Sequence, residues 1–404
     1  MKPFANRCMD HAAFEKEIDE FNERMIEIRR DLHEHPELSY KEVRTAKLVA
    51  DTLRSFGIEV RENVGGTGVV GLLRGKKGNV TIGLRADMDA LPVQEQTGLP
   101  FASKNSGVMH ACGHDSHVAM LIGAAYVLSK HGDELDGNVK FLFQPAEEDG
   151  GRGGALPMIE DGALENPHVD HVFGLHVLGD FPAGYFAIRG GPIMAAPDSF
   201  KIEVHGRGGH GSAPWDTVDP IFVSSQIIQA LYGMRSRNVD QRDPLVISVC
   251  SVHSGTKDNI IPDNALLEGT LRTLDEDVRA DMKKKISNTA EAVAGAFGAK
   301  ADVSFIENAY PVTYNDPAIT EEVKSILSSI KGMKTMETKP LLGGEDVSRF
   351  LQRAPGTYYF LGTRNEKKGI IYPNHSSKFT VDEDYLKYGA LSHVLVAMHF
   401  AGKK

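Results

Sequence analysis

Cysteine is scarce: Cys8, Cys112 and Cys250 are the only three in 404 residues. So odd and sparse a set builds no disulfide framework and fits a reducing compartment. No apolar run approaches the roughly 20 residues that cross a bilayer. Residues 1–10 lack the apolar core of a signal peptide. These absences predict a cytoplasmic protein with no membrane partner. A basic excess is missing as well: acidic side chains outnumber basic ones 55 to 45, for a net charge of −10. That argues against a nucleic-acid partner, which calls for a basic face. There are no internal repeats and no low-complexity tracts.

The chain is too long for one ordinary core, so two domains are expected. At 41 % hydrophobic and 25 % charged, its composition is that of a globular protein. The spacing predicts a helix over 17–33, with Ile18, Phe21, Met25, Ile28 and Leu32 on one face. A second helix is predicted over 40–56, stopping at Gly57. Short apolar strands at 69–73, 80–84, 139–143 and 171–175 then alternate with a helix at 117–131. This is the pattern of an α/β layer structure with a mainly parallel sheet.

The style changes near Gly190. Strands are predicted at 200–204, 245–252, 265–271 and 301–306. Helices are predicted at 217–237, capped by Asp216 or Thr217, and at 276–297. The order βαββαβ is that of ferredoxin-like domains. After about Tyr310 the α/β style returns, with a helix near 318–330, a strand at 358–361 and a closing helix at 384–401. The expected organisation is a discontinuous domain, 1–190 and 311–404, interrupted by an insert at 191–310. Insertion is feasible because domain termini lie close together at the surface.

The densest chemistry is Met109-His110-Ala111-Cys112-Gly113-His114-Asp115-Ser116-His117. Thiolate and imidazole both suit zinc and its neighbours. Alone, either residue reads equally well as a buried thiol or a capping histidine; together they favour metal. The adjacent carboxylates Glu147 and Glu148 follow an inferred strand, where desolvating both needs a cation or a proton. One could bind metal while the other acts as a base, although a solvated acidic turn is the plainer reading of that pair alone. His176 ends an apolar run and would by itself be a core histidine. His375 lies in the polar loop 372–377, and Asp87 and Asp89 follow the strand at 80–84. Ligands gather outside the carboxyl ends of strands in open α/β sheets, so these groups can converge. They offer more donors than one tetrahedral ion needs, which favours two divalent ions.

These stretches resemble the M20 metallopeptidase family, in particular its aminoacylase, hippurate hydrolase and auxin-conjugate hydrolase branch. The matches are 85–92, 109–117, 144–148, 174–177, 206–214, 259–263, 343–346 and 374–379, in family order along almost the whole chain. Within the branch the sequence looks most like thermostable archaeal carboxypeptidases. The resemblance implies metal ligands at Cys112, His114, Glu148, His176 and His375, and a general base at Glu147. It implies that the insert is a lid and dimerisation domain, giving a homodimer or homotetramer. His210 would serve the transition state across the dimer, and Asn259 and Arg272 would hold the substrate's carboxyl end. Without the resemblance, His210 is an ordinary loop histidine and Arg272 an ordinary strand arginine. Where other branches have His-x-Asp, this chain has Asp87 and Asp89. Asp89 can still orient a ligand, whereas the resemblance gives Asp87 no role.

The implied activity is metal-dependent hydrolysis of an N-acyl amino acid or short peptide, with Zn2+ or else Co2+, Mn2+ or Ni2+. Carboxypeptidase and aminoacylase are not separable at this level. Two other readings compete. One is an inactive metal-binding protein of the same fold, against which the retained Glu147 argues. The other is a cysteine hydrolase using Cys112, which leaves the glutamate pair unexplained.

Overall fold

The structure, a computed structural model, describes residues 11–240, 242–307 and 309–403; Cys8 lies outside them. The chain forms two compact units. The first comprises Met1–Gly191, Tyr314–Lys339 and Arg349–Lys404, and the second Pro192–Thr313 and Pro340–Ser348. Among the described residues no helix is long and apolar enough to cross a membrane.

The first unit is built on an eight-stranded sheet. Its strands are β1 (Glu59–Val64), β2 (Gly68–Leu73), β3 (Thr81–Asp87), β4 (Asn138–Gln144), β5 (His171–Pro182), β6 (Tyr185–Ile188), β7 (Lys334–Glu337) and β8 (Gly356–Arg364). Their spatial order is β1-β2-β4-β3-β5-β8-β6-β7. The central run β4-β3-β5-β8 is parallel throughout. β1, β2 and the β6–β8 contact add the antiparallel pairs. β3 and β4 are buried along their full length, as central parallel strands must be. β1, β6 and β7 escaped the sequence reading. β1 and β7 are the two edges of the sheet and β6, between β8 and β7, has only four residues; β1 is mostly exposed, so no apolar run marks it.

Five main helices flank this sheet: α1 (His11–Glu34), α2 (Val43–Ser55), α3 (His114–Lys130), α4 (Pro317–Ser329) and α5 (Leu386–Ala401). α1 buries Phe14, Ile18, Met25, Ile28 and Leu32 as one stripe. Phe21, on the same face, stacks on Tyr126 instead. α3 is buried almost all round, the mark of a helix in the core rather than on its surface. Each of its fully buried Val, Leu and Ile side chains contributes about 1.5–3 kcal/mol. α2 starts at Val43, not at residue 40, because Tyr40 has φ +61 and cannot be helical.

The second unit is a four-stranded antiparallel sheet with two helices. In chain order its elements are strand Ala196–His205, helix Pro220–Arg237, strands Leu245–Ser254 and Asn264–Thr273, helix Glu276–Ala296 and strand Lys300–Phe305. This βαββαβ order has the first strand paired with both the third and the fourth, as in the split βαβ arrangement. Its own core gathers Phe200, Ile202, Val223, Ile227, Leu267, Met282 and Ile286. The first helix begins later than expected, at Pro220. Its cap is neither Asp216 nor Thr217 but Asp219, whose carboxylate accepts the amides of Ile221 and Phe222. Residues 214–216 form a separate short 3-10 turn. Proline at the first helical position fixes that start.

Candidate metal centre

The centre is assembled in the first unit from segments that the sheet topology brings together. β3 and β4 end in register, Asp87 opposite Gln144. The next residues of each chain supply Asp89 on one side and Glu147 and Glu148 on the other. β5 does not stop before His176, as the sequence reading had it, but runs on to Pro182. The ladder from β3 to β5 ends at Arg85–Gly174, while β8 still pairs with β5 at His176. His176 therefore sits just past the last pairing of β5 with β3, with its backbone fixed from the other side.

Cys112 and His114 flank Gly113, which caps α3 at φ +91. A Cβ on Gly113 would also collide with Val177, so only glycine allows these two ligands to straddle the helix start. Cys112 Sγ lies 3.3 Å from His176 Nε2 and 3.3 Å from His375 Nε2. His375 Nε2 is 3.4 Å from Glu148 Oε1, and His114 Nε2 is 3.9 Å from the same oxygen.

Donor atoms of three overlapping groups lie within 4.8 Å of one another: Cys112, His114 and His176; Cys112, Glu148 and His375; and His114, Glu147 and Glu148. Shared members are what a two-ion site requires. Among the described residues, a further group joins Asp87, His114 and His117. There His117 is already used: Nε2 accepts the Val177 amide at 2.9 Å, so Nδ1 carries the proton and donates to Asp87 at 2.5 Å.

The donor set fits divalent cations. His114 Nδ1 bonds the Asp89 carbonyl at 2.9 Å, which leaves Nε2 facing the centre, buried and without a hydrogen bond. Glu148 Oε1 is likewise buried and accepts no hydrogen bond. His176 Nδ1 donates to the Val177 carbonyl at 2.7 Å, freeing Nε2 as a lone-pair donor. Burial holds His176 well below its usual range, with His117 adding to the effect, so its ring is neutral. Burial pushes the Cys112 thiol well up, and Glu148, Glu147 and Asp87 push it further. Only a cation offsets that cost and makes the thiolate available. Burial disfavours a proton on His114, but Asp87, Asp89 and Glu148 outweigh it and raise the pKa to about 10. Positive charge is thus favoured where the ions would sit. His110 belongs to none of these groups; burial lowers it to about 4.

Several supporting roles escaped the sequence reading. Asn374 donates to the carbonyls of Cys112 and Val177 at 2.9 and 3.0 Å and accepts the Gly179 amide at 2.9 Å. It stitches the loop of His375 to the other two ligand segments. The sequence reading had it inside the matched stretch 374–379, beside His375, without a role. Asp87 is bound by Arg85 at 2.6 Å, and Arg85 also donates to Gln144. Asp115 forms a fully buried pair with Arg29 of α1 at 2.8 Å.

His210, Asn259 and Arg272 lie in the second unit. His210 pairs with Ile260, and the Gly211 amide donates to the Asn259 carbonyl at 2.9 Å, so these two residues are neighbours. His210 Nδ1 accepts the Ser212 amide at 3.1 Å, which places its proton on the exposed Nε2. Arg272 is half-buried on the strand Asn264–Thr273; burial lowers its pKa and Asp198 opposes that.

The profile of Peptidase family M20/M25/M40 matches residues 83–399. The chain belongs to the M20 family. It is 58 % identical over 388 residues to thermostable carboxypeptidase 1 of Saccharolobus solfataricus, covering 96 % of this chain and 98 % of that one. It is 40 % identical to an N-acetyl-L-cysteine deacetylase of Bacillus subtilis, covering 91 % of this chain and 85 % of that one. A crystal structure of a dinuclear metal-binding M20 peptidase from Bacillus subtilis superposes with a TM-score of 0.84 at 35 % identity, over 96 % of this chain and 99 % of that one. The protein is therefore an M20 metallopeptidase or amidohydrolase, with a candidate site for two metal ions.

Proposed function

We propose that the protein cleaves the amide bond to a carboxyl-terminal or N-acylated amino acid. Cys112, His114, Glu148, His176 and His375 would hold two divalent ions. The observation that carries this reading is that those five donors fall into overlapping groups, one of which includes Glu147. Zinc is the proposed metal, since a thiolate and imidazoles suit it; cobalt, manganese and nickel suit the same donors. When bound, the ions polarise the scissile carbonyl and lower the pKa of a water toward neutral. Glu147 takes the proton of that water and returns it to the leaving amine. Asp89 fixes His114 and the glutamate turn together, through His114 Nδ1 and the amides of Glu147 and Glu148.

In the insert, His210 would donate Nε2–H to the developing oxyanion. Arg272 and Asn259 would bind the free carboxylate of an N-acyl amino acid or short peptide. The names of the two curated relatives support both substrate kinds. These share the carboxylate on the amine side and differ in the acyl side.

The insert at 191–310 is proposed as a lid and dimerisation domain, giving a homodimer or homotetramer. Its strand Leu245–Ser254 is an edge, and edges are commonly covered by association. A cytoplasmic setting is supported by the sparse cysteines. The test is hydrolysis of N-benzoyl amino acids and short peptides before and after EDTA, with zinc, cobalt or manganese restored. Loss and metal-dependent recovery is expected, and the faster class identifies the substrate. Activity untouched by thorough metal removal would overturn the reading.

A further inference from the structure

Between α1 and α2 lies a loop, residues 36–42, that carries no metal-binding group in the site described. It nevertheless touches both turns on which the chemistry rests. The Glu37 carbonyl accepts the Ala90 amide at 2.8 Å, and Leu38 forms a parallel bridge with Ala90. The Ser39 hydroxyl donates to Asp89 Oδ2 at 2.7 Å. Glu42 Oε1 accepts the Ala146 amide at 2.8 Å and the Tyr40 amide at 3.0 Å. Its second oxygen takes the Thr67 hydroxyl. The Tyr40 hydroxyl reaches the Gly153 carbonyl at 2.6 Å, on the far side of the glutamate turn.

The turn needs such support. Ala146 has φ +52, a left-handed conformation unusual for a residue with a side chain. It leads directly into the short 3-10 turn of Glu147–Asp149, whose first amides have no partner within the turn. Three successive amides are instead accepted by carboxylates: Ala146 by Glu42, Glu147 by Asp89 Oδ1 at 3.1 Å and Glu148 by Asp89 Oδ2 at 2.9 Å. Glu42 is fully buried, and Asp89 nearly so. The bonds of the Ala146 and Glu147 amides thus lie where water cannot replace them and a lost acceptor leaves an unsatisfied donor, and that of Glu148 is partly shielded.

We propose that residues 36–42 form a clamp in which Glu42 and Ser39 are positioning residues: they hold the Ala146–Glu148 turn and so set the place of Glu147. The consequence for catalysis rests on the reading of Glu147 as general base. The clamp itself does not.

The test uses the purified protein with its metal as wild type, E42A, E42Q and E147Q. Hydrogen exchange is read at the amides of Ala146, Glu147 and Glu148, alongside metal content, kcat and KM on an N-benzoyl amino acid. In E42A these amides should exchange faster, while β4 amides keep their rate and metal content holds. A base displaced by even ~1 Å should lower kcat by roughly 10–100-fold with KM little changed. E42Q keeps an oxygen for the Ala146 amide, so it should return exchange and kcat close to wild type. Unchanged exchange at Ala146 in E42A overturns the clamp, as does an equal loss of kcat in E42A and E42Q. If E42A does not fold, S39A replaces it: faster exchange at the Glu148 amide supports the clamp, and unchanged exchange rejects it. Full turnover in E147Q would remove the base assignment while leaving the exchange result to decide the clamp.

Discussion

Asp87 Oδ1 and His117 Nδ1 lie 2.5 Å apart, both fully inside the first unit. This pairing gives Asp87 the role that the sequence withheld. The carboxylate sets the tautomer of His117, whose Nε2 then anchors the amide of Val177, next to His176. Burial opposes the charge on Asp87, but Arg85, His114 and His117 prevail and hold its carboxyl well below the usual range.

Asp87→Asn should therefore act in two ways. It removes the carboxylate 2.6 Å from the buried Arg85, and breaking such a pair costs about 3–5 kcal/mol of folding stability. It also loosens His117 and the end of β5, lowering metal affinity by roughly 10–100-fold. Chemical denaturation and chelator competition read the two effects separately. Unaltered metal affinity would show that the pair serves the fold alone.

Gly113→Ala should damage both ligands at once. The left-handed φ alone costs on the order of 1–3 kcal/mol, and the new methyl meets Val177. The double variant with Val177→Ala should recover part of the stability, because it relieves the collision but not the backbone strain. Calorimetry on the two variants decides this. Equal stability of the single and double variants would mean that the collision is unimportant.

Glu147→Gln should keep metal content intact and abolish turnover, as expected of a base beside a metal site. Metal analysis with a single-turnover assay checks both halves, and near-normal turnover would reject the assignment. His210→Ala should lower kcat by roughly 10²-fold or more if its Nε2–H serves an oxyanion; an unchanged kcat would reject that role.

Lys140 offers a pH signature remote from the centre's chemistry. Burial, aided by Arg61 and Arg74 against Glu165, lowers its pKa to about 8 from 10.5. Its ammonium donates to the carbonyls of Ala163 and Glu165 at 3.0 and 2.6 Å. Below about pH 8 both folded and unfolded chains carry the proton, and the folded state bears the whole cost of burying charge. Between pH 8 and 10.5 the unfolded chain binds more protons, so this group makes stability rise with pH. Relative to Lys140→Met, the wild type should gain roughly 2–3 kcal/mol between about pH 7 and pH 10. A difference that stays flat in denaturation at the two pH values would contradict this.

The sequence by itself determined the repeating layers, the βαββαβ order of the insert and the residue types of a metal centre. Periodicity and apolar runs are local properties, and cysteine, histidine and paired glutamates announce their chemistry wherever they stand. Family membership was legible for the same reason, because its motifs are short and contiguous. Tertiary structure alone decided which donors meet and what holds them. The continuation of β5 through His176 depends on β8, contributed from far along the chain. Ser39 and Glu42 are polar residues with nothing unusual around them in sequence, and His117 and Asn374 stand beside ligand candidates without a sign of their own role; each matters through a backbone group or carboxylate many residues away. Asp87 changed from an unexplained departure to a buried anchor because Arg85, two residues before it, and His117, on α3, close on it from either side. Hydrogen-bond partners are chosen by proximity in space, and that is fixed only when the sheet and helices pack.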